Sequence, residues 1–193
     1  MNIDLAIDPF DLNGPWNERR IEAWFIFGAC VAGKSAKQTA EKVTKFLALG
    51  PDFSPFDVVK FFIKGRLLRR CLKEVRMGQY GRINKALRGL VKIDPRYVSL
   101  EELESIHGIG PKTARMLLLY TRPGFEGVPL DTHILKYLAA QGVPKVPKAT
   151  PPFGREYKRL EGAFLEFALN QRKTVRELDT EVWKSYAVKS AAQ

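Results

Sequence analysis

Apolar residues return at intervals of three and four along almost the whole chain, and nowhere do they alternate cleanly at intervals of two. Ile21, Trp24, Phe25, Phe27 and Gly28 form one such row, Ala36, Ala40, Val43 and Phe46 a second, and Phe56, Val59, Phe62 and Ile63 a third. A period near 3.6 gathers these residues on one side of a helix, whereas a half-buried strand needs a period of two. Breakers separate the rows at Gly14-Pro15, Gly50-Pro51, Asp94-Pro95, Gly124 to Pro129 and Gly142 to Pro152. The pattern predicts an all-α fold of roughly eight or more helices, among them Trp16 to Phe27, opened by Asn17 and Glu18, and Ser35 to Phe46. The Pro/Lys-rich stretch from Val143 to Pro152 reads as a loop or a hinge between lobes.

The composition narrows the classes further. At 193 residues, 45% hydrophobic and 27% charged, the chain can bury a core, which excludes a disordered tail and a disulfide-stapled mini-protein. Two cysteines, Cys30 and Cys71, cannot supply a four-cysteine zinc site or a four-cysteine iron–sulfur cluster. The acidic start Met-Asn-Ile-Asp lacks the bases of a signal peptide, and the longest apolar run, Trp24 to Val31, is far short of a membrane span. These features lead to the expectation of a soluble, cytoplasmic, nucleoid-associated protein with no membrane partner.

Charge supplies the first functional hint. Lys and Arg exceed Asp and Glu by 32 to 21, a net +11, and the stretch from Lys60 to Lys92 holds eleven bases against the single acid Glu74. Two solvated helix faces would account for this. So would a surface offered to phosphates, because Leu67, Leu68, Leu72 and Val75 interleave with the bases and would pack one helix side while leaving the other to a polyanion.

One motif misleads. Gly28-Ala-Cys-Val-Ala-Gly33-Lys34-Ser35 fits the Gly-x-x-x-x-Gly-Lys-Ser pattern of nucleotide-binding loops. Such a loop needs a buried strand before it and a parallel sheet around it, and no segment supplies Val/Ile-rich strands. A nucleotide-dependent enzyme is therefore the weakest of three readings, and tight magnesium–ATP binding abolished by Lys34→Ala would be its signature.

The chemistry-bearing string is Leu103-Glu-Ser-Ile106-His-Gly108-Ile109-Gly110-Pro111-Lys112-Thr113-Ala114. It reads as a short helix, a glycine turn and a second helix opening at Pro111, over 103–121. The glycines allow close backbone approach, Pro111 suits the first helical position, and free amides at a helix start hold phosphate. This is a helix-hairpin-helix pattern, with Gly108, Ile109, Gly110 and Thr113, together with Lys34, as candidate DNA contacts. A plain αα-hairpin is the alternative. Lys112 falls in the first turn, where the helix end and nearby bases disfavour the ammonium form, and a neutral amine is a nucleophile. Nineteen residues on, Pro129-Leu130-Asp131-Thr132-His133 reads as a helix start with Asp131 as N-cap, an arrangement that favours the charged carboxylate. Each residue alone reads equally as a surface base or a cap.

Gly-Ile-Gly-Pro-Lys112-Thr-Ala followed by Leu-Asp131-Thr-His resembles the signature of the helix-hairpin-helix DNA glycosylase superfamily, and most of all the short archaeal-type 8-oxoguanine DNA glycosylase/lyases. Trp24 to Val43 resembles their early helix pair, and Arg176-Glu-Leu-Asp179-Thr-Glu-Val-Trp183 their C-terminal Leu-Asp-x-x-x-Trp element. Endonuclease III relatives share the hairpin and the aspartate but usually add a four-cysteine cluster. The resemblance implies two helical lobes, about 1–45 plus 140–193 and about 46–139, with a cleft between them. It implies double-stranded DNA carrying a damaged base as partner, a monomer, Lys112 and Asp131 as catalytic residues, and no cofactor beyond one Na⁺ or K⁺ on the carbonyls of Ile106 and Ile109. It further implies a base pocket at Asp179 and Trp183, which by spacing alone read equally as a cap or helix-surface acid and a core residue. The relatives end in a lysine set against the oxidised purine, whereas this chain ends Lys189-Ser-Ala-Ala-Gln193, so Lys189 is the candidate substitute. A non-catalytic DNA-binding module is the competing reading.

Overall fold

The computed structural model describes residues 7–9 and 15–191, with side chains up to Tyr186. Among these residues the chain is all-helical, with ten helices and no strand. They are α1 (Glu18–Val31), α2 (Ala36–Leu47), α3 (Pro55–Lys64), α4 (Leu68–Glu74), α5 (Tyr80–Leu90), α6 (Leu100–Ser105), α7 (Pro111–Thr121), α8 (Thr132–Ala140), α9 (Arg155–Asn170) and α10 (Val175–Ala191). No helix among the described residues is long and apolar enough to cross a membrane. Two compact units divide the chain, Met1–Thr113 and Ala114–Gln193, and α7 runs through the point where one gives way to the other.

In the first unit α1 is the central rod. Every residue from Ile21 to Val31 is buried, and α2, α3 and α5 pack against it. Asn17 caps its start by accepting from the Arg20 N–H, and its last turn contains Gly28 to Val31. The nucleotide-loop look-alike is thus helix followed by a turn at Gly33 (φ +69°), with no strand beneath it, which excludes a phosphate-cradling loop of that kind. The second unit joins the remainder of α7 to α8, α9 and α10, and the last three pack pairwise. Leu118, Leu135, Leu138, Leu160, Phe164 and Leu178 form its core.

The charged stretch resolves as the interleaved pattern suggests, with one correction. Ten of its eleven bases are exposed, Arg82 alone being half-buried, while Leu68, Cys71, Leu72, Ile83, Leu87 and Leu90 are buried beneath them. Leu67, expected on the packed side, is exposed. It precedes α4 at the end of a tight turn through Arg66 (φ +56°), so the helix face begins one residue later.

Glu22 is the one acid inside the α1 core. It accepts from the Phe56 N–H at 3.0 Å, satisfying an amide in the first turn of α3 that has no partner within that helix. Burial lifts its carboxyl above the usual carboxylate range, although the bonds from Phe56 and Ser54 pull it down. The folded state therefore binds this proton more tightly than the unfolded chain, and stability falls as pH rises from about 4.5 through the raised value. Glu22→Gln keeps an acceptor for Phe56 without the charge. Its Tm gain over the parent is expected to be larger at pH 7 than at pH 4, and a pH-independent difference in parallel melts would contradict this.

Candidate functional site

The hairpin is built by local caps and seated on α5. Ser99 and Glu102 form a reciprocal capping box that starts α6 at Leu100. The chain leaves α6 at Ile106, turns through Gly108 at φ +89°, closes with the Ile109 N–H on the Ile106 carbonyl at 2.9 Å, and re-enters helix at Pro111. Arg82, Ala86 and Gly89 share one face of α5. The turn rests on that face so closely that a Cβ on Gly89 would lie 2.5 Å from Ile106 Cγ2, and one on Gly108 would lie 2.9 Å from Arg82 Cγ. Ile106 and Ile109 anchor the turn with buried side chains, Gly110 is exposed, Lys112 is half-buried and Thr113 is buried. Contact with a phosphate at Ile109 and Gly110 is therefore a matter of backbone, not side chain.

Three turns of the first unit are tied together by side chains whose role the sequence reading does not single out. Arg82 donates from one guanidinium nitrogen to the Gly108 carbonyl at 3.0 Å and from Nε to Gln79 Oε1 at 2.7 Å. Gln79, in left-handed backbone (φ +44°), donates in turn to the Ala32 carbonyl at 3.3 Å. Lys34 Nζ donates to the Met77 carbonyl at 2.6 Å, and burial, helped by the nearby Arg82 and Lys42 charges, holds its ammonium below the usual lysine range. Part of the donor capacity of Lys34, a candidate phosphate contact, is thus spent within the fold.

The hairpin turn needs glycine at Gly108 on two counts, a positive φ and the approach to Arg82. Gly108→Ala is expected to cost about 1–2 kcal/mol and to weaken binding of an undamaged duplex, read by fluorescence anisotropy beside a thermal melt. Unchanged affinity would mean that this turn does not touch DNA.

In the second unit Asp131 is the N-cap of α8, as its place before Thr-His-Ile indicates. Its Oδ1 accepts from the His133 N–H at 2.8 Å and the Ile134 N–H at 2.9 Å. Oδ2 accepts no hydrogen bond among the described residues, and the side chain is half-buried. One oxygen is used by the fold and the other stays open. The residues just before it, Val128 to Leu130, are buried.

Asp179 is neither a cap nor a surface acid. It is buried on α10 and accepts from the Tyr120 hydroxyl, beside Thr180 Oγ1 at 3.3 Å from the same hydroxyl and with the Arg176 guanidinium over the Tyr120 ring. Burial and the Asp179 charge push the Tyr120 hydroxyl far above the ordinary tyrosine range, so it acts as a donor. Trp183, one turn on from Asp179, is half-buried. The Lys189 side chain lies outside the described residues. His133 stacks on Tyr186 with ring centroids 5.9 Å apart, in keeping with a packing role, and His107 is exposed.

No curated protein and no solved structure matches the chain. Residues 98–120 do match the family model of the helix-hairpin-helix motif, the segment comprising the capping box, α6, the glycine turn and all but the last residue of α7. The chain therefore carries a helix-hairpin-helix motif, and the match supports DNA binding.

Proposed function

We propose that this protein is a base-excision DNA glycosylase with AP lyase activity, acting as a monomer on double-stranded DNA and removing an oxidised base, with 8-oxoguanine foremost. The observation that carries this reading lies in the chain order: a lysine in the first turn of the hairpin's second helix is followed, nineteen residues on, by an N-cap aspartate that keeps one carboxylate oxygen open. Lys112 alone could serve as a phosphate contact and Asp131 alone as a helix cap; the two together are what the chemistry asks for.

In this reading the hairpin amides and the exposed bases of α3 to α5 hold the phosphate backbone, and the damaged nucleotide is turned out of the duplex. The Lys112 amine attacks C1′ of its sugar. The C1′–N bond breaks, its electron pair leaves with the base, and the base takes up a proton. Positive charge builds on the sugar during this step, and the open oxygen of Asp131 stabilises it. Ring opening yields a Schiff base between Lys112 and C1′. Loss of a C2′ proton then expels the 3′ phosphate and nicks the strand on the 3′ side. Trp183 would stack on the extruded base, with Asp179 as acceptor and Lys189 as a further contact.

Neither step calls for a redox cofactor or a catalytic metal. The carbonyls of Ile106 and Ile109 are the proposed seat of one monovalent cation between hairpin and phosphate. The Ile106 carbonyl, after accepting from Ile109, keeps one lone pair for it. No step runs through that ion.

The test is a panel of duplexes containing 8-oxoguanine, thymine glycol, uracil or hydroxymethyluracil, scored for free base and for strand cleavage without added alkali. Release of at least one oxidised base with concurrent cleavage is expected. Salt-sensitive binding with no release from any member would leave only a non-catalytic DNA-binding module.

A further inference from the structure

The stretch that delivers Asp131 to the start of α8 has no regular structure, yet it is buried, and buried backbone polar groups must find partners. Those partners come from α9 and the loop before it. Glu161 Oε1 accepts from the Val128 N–H at 3.0 Å. The Tyr157 hydroxyl donates to the Val128 carbonyl at 2.8 Å and accepts from the Leu130 N–H at 3.3 Å. The Thr150 hydroxyl donates to the Leu130 carbonyl at 2.7 Å, and Pro129 has no N–H to satisfy. Tyr157 and Glu161 are four residues apart, so one face of α9 grips the segment from both sides.

Glu161 does more than cap an amide. The same Oε1 accepts from Arg115 Nε at 2.7 Å, and that arginine side chain is only 4% exposed. Its guanidinium lies over two adjoining rings, 4.9 Å from the Phe153 centroid and 4.8 Å from that of Tyr157. A single carboxylate oxygen thus bridges α7 to the backbone leading into Asp131. Packed apolar residues of the same volume would serve stability equally well, since a buried ion pair gains little over them. What an apolar replacement cannot supply is a fixed distance between a charged group on one element and an amide on another.

We propose that Glu161 is a positioning residue for Asp131: by holding Arg115 and the Val128 amide on one oxygen, it sets where the Asp131 carboxylate stands. Its catalytic consequence rests on the glycosylase/lyase reading above, because it matters to chemistry only if Asp131 acts on the sugar. Its structural content does not.

Glu161→Gln keeps the size and one acceptor but removes the charge that Arg115 Nε meets at this oxygen. At a temperature well below its melt, this variant is expected to exchange the His133 and Ile134 amide hydrogens, which Asp131 holds, about tenfold faster than the parent. On lesion-bearing duplex it is expected to release base about 10²-fold more slowly in single turnover, the scale set by a misplaced reacting group, with Kd changed less than twofold. Val175→Ala, a cavity variant at the buried start of α10, serves as the comparison and is expected to lower Tm while leaving exchange and rate alone. Tyr157→Phe, which removes only the hydroxyl, is the second variant should the first fail to fold, with faster exchange at the same two amides expected. Parent-like exchange in the folded variant, or equal slowing by Val175→Ala, overturns the proposal. Faster exchange in a protein that releases no base from any lesion would uphold the positioning role and sink the glycosylase reading instead.

Discussion

Lys112→Gln is expected to abolish borohydride trapping on lesion-bearing duplex and to slow base release by about three orders of magnitude or more, because the amide cannot form a Schiff base. The substitution suits its position. Gln is a good helix former, and Lys112 stands in the first turn of α7, where no intrahelical partner is demanded of its amide. The fold should therefore survive, and DNA affinity should fall by no more than the loss of about one phosphate contact, visible as a small change in the slope of log affinity against log salt. Trapping that persists at the parent's level would remove Lys112 from the reaction while leaving the hairpin's grip intact.

The second large effect belongs to Asp131→Asn. Asn caps helices about as well as Asp, and its carbonyl oxygen can accept the same His133 and Ile134 amides. What disappears is the charge. Base release is expected to slow by about 10²- to 10³-fold, the scale of losing one pre-organised electrostatic group. Affinity for DNA is expected to hold or improve, since one negative charge has gone. Asp131→Ala removes cap and charge together and should lose about 1 kcal/mol of stability besides, so comparing the two variants in melts and in single-turnover assays separates the cap from the chemistry. Full activity in the Asn variant would leave Asp131 as a helix cap and nothing more.

Much of this architecture is legible in the sequence because it is local. The 3.6-residue rows give the helices, and Asn17, Ser35 and Asp131 announce three helix starts in the residues that cap them. Gly-Ile-Gly-Pro gives the hairpin turn. Even here a local signal escapes notice: Ser99 and Glu102 stand three apart as a capping box should, and they start α6 at Leu100, ahead of the string at Leu103 from which the sequence reading starts.

The residues that hold the site in place are illegible for a different reason. Arg82 reaches the Gly108 carbonyl across 26 positions, Glu161 meets Val128 across 33, and Tyr120 meets Asp179 across 59. No periodicity encodes such pairings. Glu161 left one trace, an acid beside the buried row Tyr157, Leu160, Phe164 and Ala168 of α9, where a charge costs free energy unless paired. The left-handed turns at Arg66, Arg76 and Gln79 left none, because the residues there are not those that usually accept positive φ.

Peptide mapping of the borohydride-trapped complex measures the central claim most directly. Reduced onto lesion-bearing duplex and digested, the protein is expected to carry the sugar adduct on the peptide containing Lys112. An adduct on another lysine, Lys34 above all, or the absence of any adduct on a duplex whose base has been released, would contradict it.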